Sequence, residues 1–345
     1  MTGTDPKTYP ASGTPFGPEV AGLDDGLGGM PGYTSSPAMT ALAACVGMTV
    51  SPEEEESDRV PHVGHPAPKD DRKPLEETGQ LQPIAARVLM KILYGARMAR
   101  PDLLRAVCHT ASCVTRWTYQ NDLDLFRLVC YINTTFDRKL SNWVGCSGEQ
   151  LEIRCYADAD FAGDVRTQRS TSASALILTG PFTRCVLSVV SRRQTCVSHS
   201  TPEAEIVSAD HALRTEALPA LSLWETLLQR KIQLDFMEDN QAVVKICKAG
   251  GSQRLGHLPR THRVDAAAIA EQFIRGVATL HYMRTQDQAA DVGTKRFTEP
   301  AAWVKVVYLI NVVTDKFWIT SSYQEYITSL FAGGPPRKPG GIIKP

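Results

Sequence analysis

From Leu151 the chain alternates side chains in pairs: Leu151, Ile153 and Cys155 against Glu152, Arg154 and Tyr156. A period of two specifies a strand with one face buried. This strand runs out into Asp158, Asp160 and Asp164, with Gly163 marking a turn. Any fold that accommodates the stretch must set carboxylates at the edge of a sheet. Their mutual repulsion is tolerable only if they stay solvated or share a cation.

The residues that follow define the fold class. Residues 172–178 and 184–190 are β-prone and divided by Gly180-Pro181, which with the first strand makes an antiparallel meander. Ser200-Thr201-Pro202-Glu203 has the form of a capping box and opens a helix. Capping accounts for Glu203 and leaves Glu205, one turn in, without a structural role. Ile232, Leu234 and Phe236 alternate in a further strand that ends at Glu238-Asp239-Asn240, where another helix begins. Residues 261–275 are expected to be helical, residues 279–283 form a last strand, and Thr285-Gln286-Asp287-Gln288 opens a helix carrying Asp291. Strands followed by alternating helices and strands place the chain in the α/β class.

The flanks differ in character. Residues 1–80 carry 13 acidic and five basic residues among recurrent Gly and Pro, and read as a disordered acidic leader. The remaining 265 residues carry 24 acidic and 32 basic ones, a mild excess compatible with a nucleic-acid partner. Residues 81–147 read as a small helical unit: Pro101-Asp102 opens one helix, Asp122 caps another, and Trp117 and Trp143 are its expected anchors. Nine cysteines without a Cys-x-x-Cys pair favour free thiols over disulfides. No apolar run reaches the ~20 residues of a membrane span, since residues 303–320 are interrupted by Lys305, Asp315 and Lys316. Residues 301–331 suggest a helical extension, and 332–345 a flexible tail.

Four acids then stand out. Asp158 and Asp239 fall at strand ends, Glu205 and Asp291 near helix starts, and all can converge if the two strands are neighbours and both helices pack on the sheet. Each close carboxylate pair repels by roughly 3–4 kcal/mol at an effective dielectric near 20. Oxygen-only ligands suit Mg²⁺ or Mn²⁺ and disfavour zinc. Two such ions about 4 Å apart would support phosphodiester hydrolysis.

These residues also spell out a family. Tyr156-Ala157-Asp158-Ala159-Asp160-Phe161-Ala162-Gly163-Asp164, followed by Arg169-Ser170-Thr171-Ser172, resembles the first-strand motif of the ribonuclease H domain in copia-type retrotransposon polyproteins. Residues 198–209 are similar to its Thr-Glu-Ala-Glu-Tyr helix, Glu238-Asp239-Asn240-Gln241-Ala242 to its Asp-Asn-Gln-Ala strand end, and residues 286–295 to its closing segment. Upstream, Leu93-Tyr94, Ala99-Arg100-Pro101-Asp102 and residues 127–140 resemble the helices that join reverse transcriptase to ribonuclease H. The resemblance covers residues 83–300 and implies a ribonuclease H-like mixed five-stranded sheet over 148–300, preceded by a reverse-transcriptase connection remnant over 81–147. The polymerase palm motif is absent, so the chain reads as the C-terminal part of such a polyprotein.

What the resemblance implies for function is specific. Asp158, Glu205, Asp239 and Asp291 would hold two Mg²⁺ (or Mn²⁺) ions and cleave the RNA strand of an RNA–DNA hybrid. Ser170, Thr171, Ser172, Asn240 and Gln241 are candidate contacts to the hybrid's 2′-hydroxyls. The reverse transcriptase portion of the same polyprotein would be a partner, and the site of action a cytoplasmic virus-like particle or the nucleus. Phe161, Ala173 and Ile206 stand where the family has Trp, Gly and Tyr, and His262-Arg263 where it has Lys-His. Asp160 and Asp164 read as turn residues, and His257, His262 and His281 as surface or half-buried histidines without ligand spacing. Arg192-Arg193 suits either a phosphate contact or a solvated turn. A different class is a catalytically decayed fragment that at most binds nucleic acid. A transposase- or integrase-type nuclease would need a three-acid pattern and flanking DNA-binding modules, neither of which is present in the sequence.

Overall fold

The computed structural model describes residues 75–314. Of the leader expected over residues 1–80, residues 1–74 lie outside the described residues, as do the end of the 301–331 extension and the 332–345 tail. Residues 75–80 are described, and Gln80 N donates to Asp122.

In chain order the elements are α1 (Gln82–Met98), α2 (Leu104–Ala111), α3 (Tyr119–Thr134), β1 (Arg138–Leu140), β2 (Trp143–Val144), β3 (Glu152–Asp160), β4 (Thr171–Gly180) and β5 (Thr183–Arg193). There follow α4 (Thr201–His211), α5 (Leu218–Leu228), β6 (Leu234–Glu238), α6 (Gln241–Lys248), α7 (Leu258–Thr261), α8 (Ala266–Ile274), β7 (Thr279–Tyr282), α9 (Asp291–Thr294), α10 (Pro300–Leu309) and β8 (Val312–Thr314). One mixed sheet has the order β2-β5-β4-β3-β6-β7. Strands β3, β4 and β5 form the expected antiparallel meander, and β6 and β7 continue it in parallel from β3.

The sheet has six strands where five were expected. The sixth, β2, is a two-residue edge pairing Trp143 with Arg184 and Val144 with Thr183, too short to leave a periodic signal. Both faces of β3 are covered, so its expected polar face is not solvated: Tyr156 is buried along with Ile153 and Cys155. On one face Ile153, Cys155, Leu176 and Leu178 pack under Ile206, Leu213, Phe236 and Leu258. On the other, Tyr156, Ala175, Ile177 and Val186 share a core with Leu89, Leu125, Tyr131, Trp303 and Val307. Each fully buried aliphatic or aromatic side chain here contributes about 1.5–3 kcal/mol. The upstream helices and α10 thus complete the core of the sheet, and β1 pairs with β8 to fasten them.

Several local expectations change. Asp122 does not cap α3, since the helix begins at Tyr119; it is wholly buried and accepts from the backbone N–H groups of Gln80 (2.6 Å) and Leu81 (3.1 Å) and from Trp117 Nε1 (2.6 Å). Trp117 is an anchor as expected; Trp143 is only half-buried on the edge strand, and Trp303 fills that role, donating to the Tyr131 hydroxyl at 3.0 Å. The helix expected over 261–275 is interrupted: Arg263 adopts φ 60°, and Asp265 caps α8 by accepting from Ala267 N at 2.9 Å. Asp291 begins a separate short helix, after a 3₁₀ turn at Thr285–Asp287. Among the described residues every cysteine is a free thiol, and no helix is long and apolar enough to cross a membrane.

Candidate functional site

Register places the first pair of acids. Strands β3 and β6 run parallel with Tyr156 opposite Met237, so Asp158 near the end of one strand stands level with Asp239 just beyond the other. Helix α4 starts at Ser200, whose Oγ accepts from Glu203 N, and crosses β3 and β4. Ser208 Oγ fastens it there by donating to the Asp158 carbonyl at 2.7 Å. That docking brings Glu205 under the strand ends. Oxygens of Asp158, Glu205 and Asp239 lie within 4.8 Å of one another.

Asp291 arrives from the other side on α9. Glycine is required there, because a Cβ at Gly293 would lie 2.6 Å from Ala173 Cβ and 3.1 Å from the Val190 carbonyl oxygen. The close approach is fixed by Ser191 Oγ donating to the Gly293 carbonyl (2.6 Å), by Gln288 Nε2 donating to the Ala157 carbonyl (2.9 Å) and by the Thr294 hydroxyl donating to Asp158 Oδ2. Lys295 Nζ lies 2.7 Å from Asp291 Oδ2.

The electrostatics follow from burial. Asp158, Glu205 and Asp291 are each at most 6% exposed. Burial, then the charges of Asp158, Glu238 and Asp239, push the Glu205 carboxyl up to about 11. Burial and the neighbouring Asp158 charge push Asp291 to about 8, against the opposing pull of Lys295. Asp158 is likewise raised by burial, opposed by Lys295 and the Thr294 hydroxyl. The Lys295 ammonium is raised despite its own desolvation, because Asp158, Asp291 and Asp239 all favour its charged form. Glu205 Oε2, Glu238 Oε2 and Asp291 Oδ1 are buried with no hydrogen-bond partner. Buried carboxylate oxygens rarely stay unpaired. An all-oxygen donor set with excess negative charge suits a hard divalent cation such as Mg²⁺ or Mn²⁺.

Sequence reasoning did not single out Glu238, which is fully buried beside the other acids and pushed well above the usual carboxylate range by burial. Its signal was there, since it shares the buried phase of β6 with Leu234 and Phe236. Arg105 was also missed. It is buried, donating from Nη2 to Asp160 Oδ2 (3.1 Å) and from Nε to the Thr294 carbonyl (3.0 Å). It thereby joins the end of β3 to α9.

The other candidates fall in different places. Asp160 is held by Arg105 and the Thr171 backbone. Asp164 accepts from the Arg166 and Thr167 N–H groups and Arg193 Nη1, and the hydrogen bonds from Thr167, Arg193 and Arg166 outweigh desolvation to hold it at about 2. Arg193 is thereby tied to that turn. Ser170, Thr171 and Ser172 are buried, correcting their expected contact with a ligand: Ser170 Oγ accepts from Ala162 N, Ser172 Oγ accepts from Gln194 Nε2, and Thr171 bonds Asp160. Asn240 caps α6, its Oδ1 accepting from Ala242 N at 2.9 Å, while Gln241 is exposed next to Asp239. His281 pairs with Asp235 across β6 and β7 at 3.0 Å.

No protein-family model matches the chain, and no curated protein does. Among solved structures the chain is similar to a ribonuclease H1 isolated from compost by a metagenomic approach (LC11-RNase H1), at 15% identity and a TM-score of 0.30, over 41% of this chain and 92% of the other.

Proposed function

We propose that the protein is a ribonuclease H-type endonuclease that hydrolyses the RNA strand of RNA–DNA hybrids with two Mg²⁺ (or Mn²⁺) ions. The observation that carries the proposal is the convergence of four acids separated by 47, 34 and 52 residues, with orphaned buried oxygens on Glu205 and Asp291. In this role Asp158, Glu205, Asp239 and Asp291 would present carboxylate oxygens to the cations, with the Glu238 carboxyl buried beside them. When bound, such a pair of ions polarises the scissile phosphate, activates water and stabilises the leaving oxygen. The Thr294 hydroxyl holds the Asp158 carboxylate in orientation. Lys295 Nζ, 2.7 Å from Asp291 Oδ2, partly offsets the rise that burial and Asp158 impose on that carboxyl, and would compete with a cation for it. Gln241, which is exposed at the start of α6, would be a polar contact to the 2′-hydroxyls that distinguish RNA from DNA.

The four motifs further support a place for this domain at the C-terminal end of a copia-type retrotransposon polyprotein, with residues 81–147 as the connection to reverse transcriptase. The test is cleavage of an RNA–DNA hybrid labelled on each strand in turn. Mg²⁺-dependent cutting of the RNA strand alone, abolished by Asp239→Asn, is the expected result. Equal cutting by both proteins, or none by either in Mg²⁺ and Mn²⁺, refutes the proposal. The second outcome would favour the decayed fragment.

A further inference from the structure

On the opposite side of α4 a second cluster of ligand-type side chains surrounds Glu203. Residues two apart on a helix point about 200° from each other, so Glu203 faces away from the acids that Glu205 joins. Glu203 is 1% exposed, and only one of its carboxylate oxygens is used by the helix end: Oε2 accepts from His199 N at 3.0 Å. Capping therefore explains half of this side chain. Its Oε1 has no hydrogen-bond partner, yet His257 Nε2 lies 3.2 Å from it and His262 Nε2 3.3 Å, while His199 Nδ1 lies 3.5 Å from Oε2. The His262 side chain is 1% exposed, and neither of its ring nitrogens is hydrogen-bonded.

The distances carry chemical content. A tetrahedral zinc site with bonds of about 2.0–2.1 Å has ligand atoms about 3.3–3.4 Å apart along its edges. The separations between Glu203 and the two candidate histidine ligands, 3.2 Å from Oε1 to His257 Nε2 and 3.5 Å from Oε2 to His199 Nδ1, are close to that edge. The ligand atoms of His199, Glu203 and His257 all lie within 4.8 Å of one another, so small side-chain rotations would close them on one ion. Imidazole with a single carboxylate is a donor set for Zn²⁺, unlike the all-oxygen site on the other side of the helix. Access is open, because the His199 and His257 side chains are 75% and 40% exposed.

We propose that His199, Glu203 and His257 bind one Zn²⁺, with His262 as the buried partner that orients the Glu203 carboxylate. The ion would clip the start of α4 to the 257–262 segment, fixing the helix that carries Glu205. Ligating carboxylates are commonly held by such outer partners.

The test uses the full chain, stripped with a chelator and titrated with Zn²⁺ against a chromogenic competitor; it reads occupancy and is independent of hybrid cleavage. We expect one tight Zn²⁺ per chain that persists when Asp158→Asn and Asp239→Asn are combined. His199→Ala and His257→Ala, both at exposed side chains, should each weaken it at least ~100-fold, and His262→Ala about 10- to 100-fold. Co²⁺ in place of Zn²⁺ should give the visible absorption of a tetrahedral site, lost in His257→Ala. Absence of tight Zn²⁺, or Zn²⁺ lost with the aspartates and kept by both histidine variants, overturns the proposal. The imidazoles would then be simple ion-pair partners of Glu203.

Discussion

Substituting Glu205 with Gln tests the electrostatics of the acid cluster without reference to catalysis. The folded protein holds the Glu205 carboxyl at about 11, against an ordinary value of 4.5 in the unfolded chain. A raised carboxyl makes stability highest at low pH and lowers it by about 1.4 kcal/mol per pH unit above the unfolded value, until the folded value is passed. At pH 7 the penalty from this one side chain is therefore about 3 kcal/mol. Coulomb repulsion from one unit charge within 4.8 Å comes to ~3.5 kcal/mol at an effective dielectric of 20, the same size. Glu205→Gln keeps the shape of the protonated form and removes the penalty. In chelator at pH 7 the variant should be more stable by ~3 kcal/mol, a rise in melting temperature of ~6–12 °C for a domain of this size. The gap should close towards pH 4.5. Added Mg²⁺ should stabilise the native protein more than the variant. Thermal unfolding from pH 4.5 to 9, with and without Mg²⁺, measures all three. A variant less stable than the native protein at pH 7, or a gap that ignores pH, refutes the reasoning.

Three further outcomes are expected. Gly293→Ala must displace α9, because its Cβ would meet Ala173 Cβ at 2.6 Å; urea unfolding should show a loss of ~1–3 kcal/mol, with weaker Mg²⁺ binding in calorimetry as Asp291 moves outward. Arg105→Met leaves Asp160 and the Thr294 carbonyl without their buried partner and should cost ~3–5 kcal/mol in the same unfolding assay. Lys295→Met removes the cation 2.7 Å from Asp291 and should tighten Mg²⁺ up to ~10-fold by titration calorimetry, reduced from the buried limit because this lysine is 38% exposed.

Much of this site was legible because its residues sit in local contexts that leave a mark. Asp158 follows a period-two run, Asp239 ends another, and Glu205 lies just past a capping box that already accounts for the start of its helix. The meander is likewise written in short stretches of sequence, whereas the neighbouring of β3 and β6 entered the sequence reading only as a condition, met by their parallel pairing. What was not legible depends on packing between distant segments. Arg105 reaches the end of β3 only because α2 lies on the sheet, and nothing in its helical spacing announces that. Glu203 looked satisfied as a capping residue until the 257–262 segment folded against it, bringing histidines 54 and 59 residues away in sequence. Residues 261–275 had helical composition throughout, but the left-handed Arg263 and the Asp265 cap divide them. Ser170, Thr171 and Ser172 were candidate contacts to a hybrid because polarity, not depth, is what a sequence displays, and all three are buried.

The most direct measurement is anomalous diffraction from crystals of the protein grown with Mn²⁺. The account predicts Mn²⁺ between Asp158, Glu205, Asp239 and Asp291, and none there after Asp158→Asn. Manganese absent from this pocket while bound elsewhere on the protein would contradict it.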